Sequence, residues 1–286
     1  VLCAFFTTFT GASGVTILAL GLLLHQLLRD EGYSDRQSIG LITASGSIGL
    51  LFAPALPLII YGVVAKIDVD QLFVAGIGPG SVLLIAVAGT AWMGSRKLKL
   101  KTSPFRWGEA RAALRGAVWE LMVPVLILGL MLSGFAGVVE AAAIGLLFVV
   151  LCAVGVHRDV RLKDFPAIVR DTGSLIGAVL VILGVALAFT YLLVDREIPQ
   201  GIVAWTQVHF SSRIGFLIAI NLLLLVVGCL LDIFSAIIIF VPLLAPVAVA
   251  FEIHPVHLAM IFLTNLEIGY LTPPVGMNLF LSSFRF

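Results

Sequence analysis

Oxygen-bearing side chains cluster beside two interrupted apolar stretches, where together they could coordinate a cation. Glycine and proline in each interruption leave backbone carbonyls without helical partners. Hydroxyl, amide, carboxylate and unwound carbonyl oxygens are hard ligands of the kind that Na⁺ accepts. We therefore predict Na⁺ coordination, mostly by backbone carbonyls, among Ser45, Gly46, Ser47, Gly49, Pro54, Asn265, Glu267, Gly269, Thr272 and Pro273.

The two interruptions carry matching heptapeptides. IGLLFAP at 48–54 and IGYLTPP at 268–274 agree at the isoleucine, the glycine, the second leucine and the last proline. The offset between them in the numbering is 268 − 48 = 220. Backbone left unpaired at membrane depth is tolerated only where it lines a cavity or is buried in protein. We interpret the two stretches as broken helices, one per internal repeat, which form one site between the repeats.

The composition indicates an all-α polytopic membrane protein. Of the 286 residues 60% are hydrophobic, and the mean hydropathy of +1.16 exceeds what a soluble surface tolerates. A spanning helix needs about 20 apolar residues. The candidate segments are 1–28, 39–64, 73–94, 117–133, 138–156, 172–194, 214–231, 236–251 and 258–283. Only Asp232 and Ser235 mark a bend in the run 214–251, which is either a re-entrant hairpin or two crossings.

Two basic loops set the orientation of these segments. The first, 95–115, contains one acid, Glu109, and seven basic residues: Arg96, Lys97, Lys99, Lys101, Arg106, Arg111 and Arg115. The next long loop carries Arg158, Arg161, Lys163 and Arg170. The positive-inside rule places both loops in the cytoplasm. Counting segments from these loops gives the two heptapeptides opposite directions, as an inverted-topology repeat requires.

Four carboxylates lie within or beside apolar segments, where insertion costs about 2.5–3.5 kcal/mol, so each is a functional candidate. Glu120 lies near the cytoplasmic end of its segment and could reach the interface. Glu140 and Asp232 precede apolar runs and could cap helices; for Asp232 a place near a translocation path is the alternative. Glu267 lies close to Asn265 and is the strongest candidate for tuning a cation site.

The GASG turn at 11–14 supports a second hypothesis, an intramembrane serine protease with Ser13 as nucleophile. That chemistry needs a histidine of another helix within hydrogen-bond reach, and the nearest candidates are poorly placed: His25, His209, His254 and His257. The cysteines Cys3, Cys152 and Cys229 stand singly in apolar stretches, and we interpret them as buried apolar residues. HExxH and P-loop motifs are absent, which gives no support to a metalloprotease or to nucleotide-driven transport.

Several stretches resemble the large membrane subunit of tripartite ATP-independent periplasmic (TRAP) transporters, the DctM-like family. They are IGYLTPPVGMNLF at 268–280, LDIFSA at 231–236 followed by Pro242 and Pro246, EAAAIG at 140–145, and GSIG at 46–49 through PLIIYG at 57–62. The resemblance covers essentially the whole chain. Because the family is longer at its N-terminus, we expect this chain to be a fragment that lacks the N-terminal part.

The resemblance implies a multi-pass permease of the bacterial inner membrane. Such a permease imports an organic anion, often a carboxylate, together with Na⁺ by an elevator motion. The implied partners are a soluble periplasmic binding protein and a small four-helix membrane subunit, with neither an organic cofactor nor nucleic acid. We predict substrate binding, and no catalysis, at Ser13, Thr16, Asp232, Ser235 and Asn278.

The predicted organisation has three parts. Residues 1–72 would end the first repeat, 73–171 would form connecting scaffold helices with the basic loops, and 172–286 would form the second repeat with its hairpin and broken helix. Two further hypotheses stay open beside the TRAP permease and the protease. One is a divalent-anion/Na⁺ symporter that works without a binding protein, and the other is a passive membrane scaffold.

Overall fold

The computed structural model describes residues 1–98, 106–210 and 212–286, which form fourteen α-helices and no strand. The helices are α1 (Leu2–Thr10), α2 (Ser13–Asp30), α3 (Asp35–Ser45), α4 (Leu56–Ala65), α5 (Val69–Leu98), α6 (Trp107–Gly116), α7 (Val118–Leu132), α8 (Val138–Leu151), α9 (Phe165–Asp195), α10 (Ile198–His209), α11 (Arg213–Leu230), α12 (Ile233–Ala250), α13 (Pro255–Gly269) and α14 (Met277–Arg285). Short helical turns occupy Ile48–Leu51, Cys152–Val156 and Leu162–Asp164. The all-α prediction is confirmed.

Several of these helices can cross a membrane. Within the described ranges, four are long and apolar enough: Val69–Arg96, Val139–Val156, Arg213–Leu230 and Ile233–Ala250. Two bent pairs also qualify, α3 with α4 at 43° and α6 with α7 at 67°. Helices α6 and α10 are not among the predicted segments, because both are shorter than a span and carry polar side chains.

The chain folds into two compact units. One comprises Val1–Lys101 and Ile182–Phe286, and the other comprises Thr102–Val181. Both copies of the heptapeptide fall in the first unit, so the contacts described below lie within it unless stated otherwise. The three-part division at residues 72 and 171 stays a prediction.

The offset between the heptapeptides holds for the helix boundaries as well. Helices α1 and α11 end at Thr10 and Leu230, and 230 − 10 = 220. Helices α2 and α12 each contain 18 residues and begin at Ser13 and Ile233, again at the same offset, since 233 − 13 = 220. The starts of α3 and α13 repeat it, with 255 − 35 = 220. Each repeat is therefore a hairpin followed by a broken helix.

The repeats are interlocked, because the second helix of each hairpin packs against the second half of the other repeat's broken helix. Helix α2 packs on α14, and α12 packs on α4. Helices α2 and α14 run in the same direction, since Ser13 contacts Asn278 near their starts and the ring of His25 lies 5.3 Å from that of Phe286 farther along both.

The broken helices run in opposite directions. Helix α3 is antiparallel to α2, because Ser38 lies 3.0 Å from His25 while Gly46, just after α3, contacts Ile17. Since α14 is parallel to α2, α14 is antiparallel to α3. Helix α13 likewise opposes the first broken helix, because Phe262 contacts Tyr61 of α4 and the later residue Glu267 lies beside the earlier residue Ser47. The prediction of an inverted-topology repeat is confirmed.

A close backbone crossing recurs at equivalent places in the two repeats. A Cβ atom on Gly269 would stand 2.6 Å from the Cα of Gly228. At the equivalent crossing, a Cβ atom on Gly49 would stand 2.1 Å from the carbonyl oxygen of Ala4 and 2.6 Å from the amide nitrogen of Thr8. The offset again applies, since 49 + 220 = 269 and 8 + 220 = 228. Only glycine leaves the first helix of each hairpin room to reach the break.

Candidate functional site

Both broken helices unwind over glycine- and proline-rich segments. The first break runs from Gly46 to Ala55 and includes the short turn at 48–51, and the second runs from Tyr270 to Gly276. Each contains a cis peptide bond, Ala53–Pro54 and Pro273–Pro274. The prolines correspond in the repeats, since 274 − 54 = 220.

Threonine hydroxyls of α1 bind the first break. The Oγ1 of Thr7 donates a 2.7 Å hydrogen bond to the carbonyl oxygen of Gly46 and lies 2.5 Å from the Oγ1 of Thr16. The Oγ1 of Thr8 donates a 3.1 Å bond to the carbonyl oxygen of Gly49. The Gly49 oxygen also accepts from the amide of Phe52. Since a carbonyl has two lone pairs, both lone pairs of the Gly49 carbonyl are already engaged, which disfavours it as a cation ligand.

The second break is held to the neighbouring hairpin by two hydrogen bonds, each donated by a backbone amide. The amide of Gly276 donates to the carbonyl oxygen of Cys229 over 3.0 Å. The amide of Ile233, at the start of α12, donates to the buried hydroxyl of Tyr270. The predicted ligand Thr272 turns its hydroxyl back to the carbonyl oxygen of Ile268 at 2.9 Å.

Two further predicted ligands also have partners within their own repeats. The amide nitrogen of Asn265 donates to the side-chain oxygen of Asn221 at 2.7 Å and to the carbonyl oxygen of Ile261 at 2.8 Å. The hydroxyl of Ser45 donates to the carbonyl oxygen of Ile42 at 3.3 Å. The prolines differ in exposure, with Pro54 half-buried and Pro273 exposed.

Glu267 is buried within the first unit, and the hydroxyl of Ser47 is the polar group beside its carboxyl. The residue is 2% exposed, and neither carboxylate oxygen has a hydrogen bond of normal length and angle among the described residues. The hydroxyl of Ser47 lies beside the carboxyl and interacts with it. One helical turn earlier, the buried Oγ1 of Thr264 also lacks a partner. Buried polar groups are normally paired, so these oxygens form a set that a cation could satisfy.

Two pairs account for four of the predicted substrate-binding residues. The hydroxyl of Ser13 donates a 2.7 Å hydrogen bond to the Oδ1 of Asn278, which joins the break of the first hairpin to the second broken helix. Asp232 accepts bonds from the amides of Phe234 and Ser235, each at 3.0 Å. The cap predicted for Asp232 is therefore present at the start of α12. The fifth predicted residue, Thr16, is buried against Thr7.

Some residues of the site were not predicted from the sequence. Thr7 and Thr8 contact the first break, and Tyr270 contacts the second hairpin. Thr43 and Ser282 share a 2.5 Å hydrogen bond between α3 and α14. The signal that could have found the threonines is their position as hydroxyls in an otherwise apolar helix next to the GASG turn.

The remaining acids and the cysteines have structural surroundings. Glu120, in the second unit, has its Oε1 3.1 Å from the Nε2 of His157. Glu140 lies in the first turn of α8, as expected for a carboxylate that favours a helix N-terminus. The three cysteines are free and buried, which confirms their interpretation as buried apolar residues.

The donor set favours a hard cation over a transition metal. The described parts of the chain contain no group of three or more His, Cys, Asp or Glu side chains that could hold a metal ion. A cation at this site would be held by hydroxyl and carbonyl oxygens and a single carboxylate. Na⁺ fits such ligands.

Comparisons with known proteins match nearly the whole chain. The family model described as "Tripartite ATP-independent periplasmic transporter, DctM component" matches residues 1–284. The C4-dicarboxylate TRAP transporter large permease protein DctM of Pseudomonas aeruginosa is 32% identical over 282 residues, which is 98% of this chain and 66% of that protein.

Relatives with other named substrates are equally similar. The sialic acid TRAP transporter large permease protein SiaM of Vibrio cholerae is 34% identical over 280 residues, 96% of this chain and 65% of that protein. The ectoine TRAP transporter large permease protein TeaC of Halomonas elongata is 32% identical over 279 residues, 97% of this chain and 65% of that protein. The chain thus spans about two thirds of the length of these relatives.

These relatives are permease subunits of transporters, not enzymes. The protease hypothesis for Ser13 is therefore wrong, and the Ser13 hydroxyl is instead bonded to Asn278. The match over residues 1–284, the inverted repeat and the spanning helices agree with one another. This chain is a multi-pass membrane protein that belongs to the family of the DctM component, the large permease of tripartite ATP-independent periplasmic transporters.

Proposed function

We propose that this chain forms the permease core of a Na⁺-coupled secondary transporter that imports an organic anion across the bacterial inner membrane. The observation that carries the proposal is the pair of broken helices that run in opposite directions within one unit. Broken helices related in this way are the recurrent frame of substrate and ion sites in secondary transporters. Family membership supports the same function.

The substrate class is a carboxylate, bound where the two hairpins turn. Helix α2 begins at Ser13, beside Asn278, and no side chain caps its first amides. The first amides of α12 are already bound by Asp232 and Tyr270, so α2 supplies the free donors. Amide groups at helix N-termini and neutral side chains can bind a carboxylate without a basic residue. The relatives named for C4-dicarboxylate and sialic acid support an organic acid, while the ectoine relative shows that the family is not limited to one compound.

Na⁺ would be held by oxygens at the two breaks. The candidate ligands are the unwound carbonyl oxygens of the two breaks, which run from Gly46 to Ala55 and from Tyr270 to Gly276. The Gly46 carbonyl, already oriented by Thr7, can offer a further lone pair. When bound, Na⁺ would supply positive charge to offset the substrate and couple import to the Na⁺ gradient.

The charge balance sets the driving force. The membrane potential supplies about 2.3 kcal/mol per charge per 100 mV, and each tenfold accumulation costs about 1.4 kcal/mol. Two Na⁺ with a dicarboxylate carry no net charge, so the membrane potential does not drive their import. Two Na⁺ with a monocarboxylate carry one net positive charge, so the potential drives their import with the energy of one charge.

An elevator motion would carry the site across the membrane as part of one body. The pairing of α2 with α14 and of α4 with α12 interlocks the repeats, so the two breaks would move together. The proposed partners are a periplasmic binding protein, which delivers the anion, and a small four-helix membrane subunit. Family membership supports both partners.

Uptake into proteoliposomes tests this function. The full-length permease, reconstituted with its small subunit, would be given radiolabelled C4-dicarboxylates and sialic acid, with the periplasmic binding protein added outside. We expect uptake that requires an inward Na⁺ gradient and the binding protein. Equal uptake after replacement of Na⁺ by choline would refute the coupling. Na⁺-driven uptake without any binding protein would instead support the divalent-anion symporter.

A further inference from the structure

Ser47 and Glu267 are equivalent positions of the two repeats, and they are also neighbours in the fold. Their separation in sequence, 267 − 47 = 220, is the offset of the repeat. The Ser47 hydroxyl lies beside the Glu267 carboxyl, and the turn at 48–51 packs on α13. Two points related by a twofold axis can meet only near that axis. The Glu267 carboxyl therefore lies at the pseudo-twofold axis between the repeats.

The surroundings of this carboxyl leave its charge uncompensated. Glu267 is 2% exposed, and none of the ion pairs among the described residues includes it. Among the described residues, the charged groups that act on the nearby Tyr270 are the carboxyls of Asp232 and Glu267, and both are acidic. A buried carboxylate without a counter-charge is strongly unfavourable.

A second unsatisfied oxygen lies on the same face of α13. Thr264 and Glu267 are one helical turn apart, a spacing that places both side chains on one face. The Oγ1 of Thr264 and both carboxylate oxygens of Glu267 are buried, and none has a hydrogen bond of normal length and angle among the residues that the structure describes. Because these three buried oxygens lie on one face of α13, one bound ion could serve as the partner of all three.

We propose that Glu267, Thr264 and Ser47 form a Na⁺ site at the pseudo-twofold axis, distinct from the carbonyl ligands of the two breaks. The inference rests on the proposed Na⁺ coupling and adds one ion with a side-chain ligand set to it. A bound proton would neutralise the carboxyl, and the pH dependence of stability distinguishes that case from a bound Na⁺. A bound water would leave the negative charge uncompensated. One Na⁺ supplies the charge and a ligand position for all three oxygens.

The two repeats contribute different side chains to this site at equivalent positions. Its only formal charge comes from the second repeat, because the equivalent residue of the first repeat is the neutral Ser47. Replacement of Glu267 by glutamine keeps the shape of the side chain and removes that charge. The variant should lose this ion while the rest of the site stays folded.

Na⁺ titration of the purified full-length permease tests the site without transport. Thermal stability would be followed as NaCl replaces choline chloride at constant ionic strength, with no organic anion present. Glu267→Gln should raise the half-saturating Na⁺ concentration at least tenfold, and Thr264→Val should raise it by a smaller factor. The matched control is Glu252→Gln, which makes the same change at an exposed residue of the same unit and should leave the titration unchanged.

Stability in choline alone separates loss of the site from loss of the fold. Glu267→Gln should melt at or above the wild-type temperature there, because it removes an uncompensated buried charge. An unchanged Na⁺ titration in a folded Glu267→Gln variant would overturn the inference. Wild-type stability that follows pH but not Na⁺, with the response lost in Glu267→Gln, would assign a proton to this carboxyl and also overturn it.

Proteoliposomes distinguish this inference from the proposed function. Na⁺-dependent uptake by the wild type tests the function. The number of Na⁺ ions transported per anion, measured from reversal potentials, tests the site and should fall by one in Glu267→Gln. An unchanged number would remove the axial site and leave Na⁺ coupling in place. Loss of Na⁺ dependence in the wild type would instead remove the proposed function, whatever Glu267 binds.

Discussion

The hydroxyl of Ser13 and the side-chain oxygen of Asn278 form a 2.7 Å hydrogen bond across 265 positions of sequence. Asn278 is fully buried and its amide nitrogen reaches the carbonyl oxygen of Thr43 at 3.4 Å. One side chain thus connects the hairpin break of the first repeat to both broken helices. The turn that resembled a protease nucleophile serves to join the repeats.

Removal of the hydrogen bond between Ser13 and Asn278 should lower both the stability of the fold and the rate of transport. In Ser13→Ala the buried oxygen of Asn278 loses its donor, which costs about 1–3 kcal/mol. We expect a lower melting temperature and reduced uptake. Ser133→Ala, at an exposed serine bonded only within its own helix end, is the matched control. A Ser13→Ala variant with wild-type stability would contradict the assigned role.

A methyl group at the glycine crossing should be poorly tolerated. Gly269→Ala would place a carbon 2.6 Å from the backbone of Gly228, so α11 must shift. Overpacking of this kind costs about 1–3 kcal/mol or more. The measurement is the folded fraction and melting temperature in detergent.

The control for that crossing is Gly89→Ala in α5, where nothing lies within 4 Å of the added carbon. Alanine is favoured over glycine inside a helix by about 1 kcal/mol, so this variant should be at least as stable as the wild type. Equal losses in the two variants would show that the crossing is not the cause.

Two substitutions at Asp232 separate its capping role from a charge effect on substrate. Asparagine can still accept from the amides of Phe234 and Ser235, whereas alanine cannot. Asp232→Ala should lose about 0.5–2 kcal/mol of stability, and Asp232→Asn should lose little. The measurements are the melting temperature and the concentration dependence of uptake. If Asp232→Asn transports like the wild type, the charge has no part in substrate binding.

Thr7 should affect the cation site through the Gly46 carbonyl. Thr7→Val removes the 2.7 Å bond to that carbonyl and the contact with Thr16. The freed carbonyl would no longer be held in place, so we expect a several-fold higher half-saturating Na⁺ concentration in uptake. Thr206→Val is the matched control, because this buried hydroxyl bonds only to carbonyls of its own helix. Equal Na⁺ dependence in the two variants would exclude Gly46 as a ligand.

Much of the architecture could be predicted from local sequence patterns. The heptapeptides located both breaks, and their offset recurs in the boundaries of α1 and α11 and of α2 and α12. The loop charges gave the correct opposite directions. The cap at Asp232 was also predictable, since a carboxylate before an apolar run is a local signal.

Features that depend on distant pairing could not be predicted. The partners of Thr7, Thr43 and Ser282 lie in other helices, and single-sequence patterns do not specify which helices meet. Helices α6 and α10 were missed because hydropathy detects spans and not short polar helices. The isolation of Glu267 was visible only after folding, since its spacing in the sequence does not show that its neighbours are neutral or acidic.

Where Gly228 meets Gly269, no side chain separates the two backbones, and therefore no rotamer change can loosen that contact. Packed interiors shift between discrete arrangements and do not deform continuously. Displacement of α13 must then pull α11 along with it, and the same holds for α1 and the turn at 48–51. The hinges that allow the permease to open to either side of the membrane must therefore lie outside these two crossings.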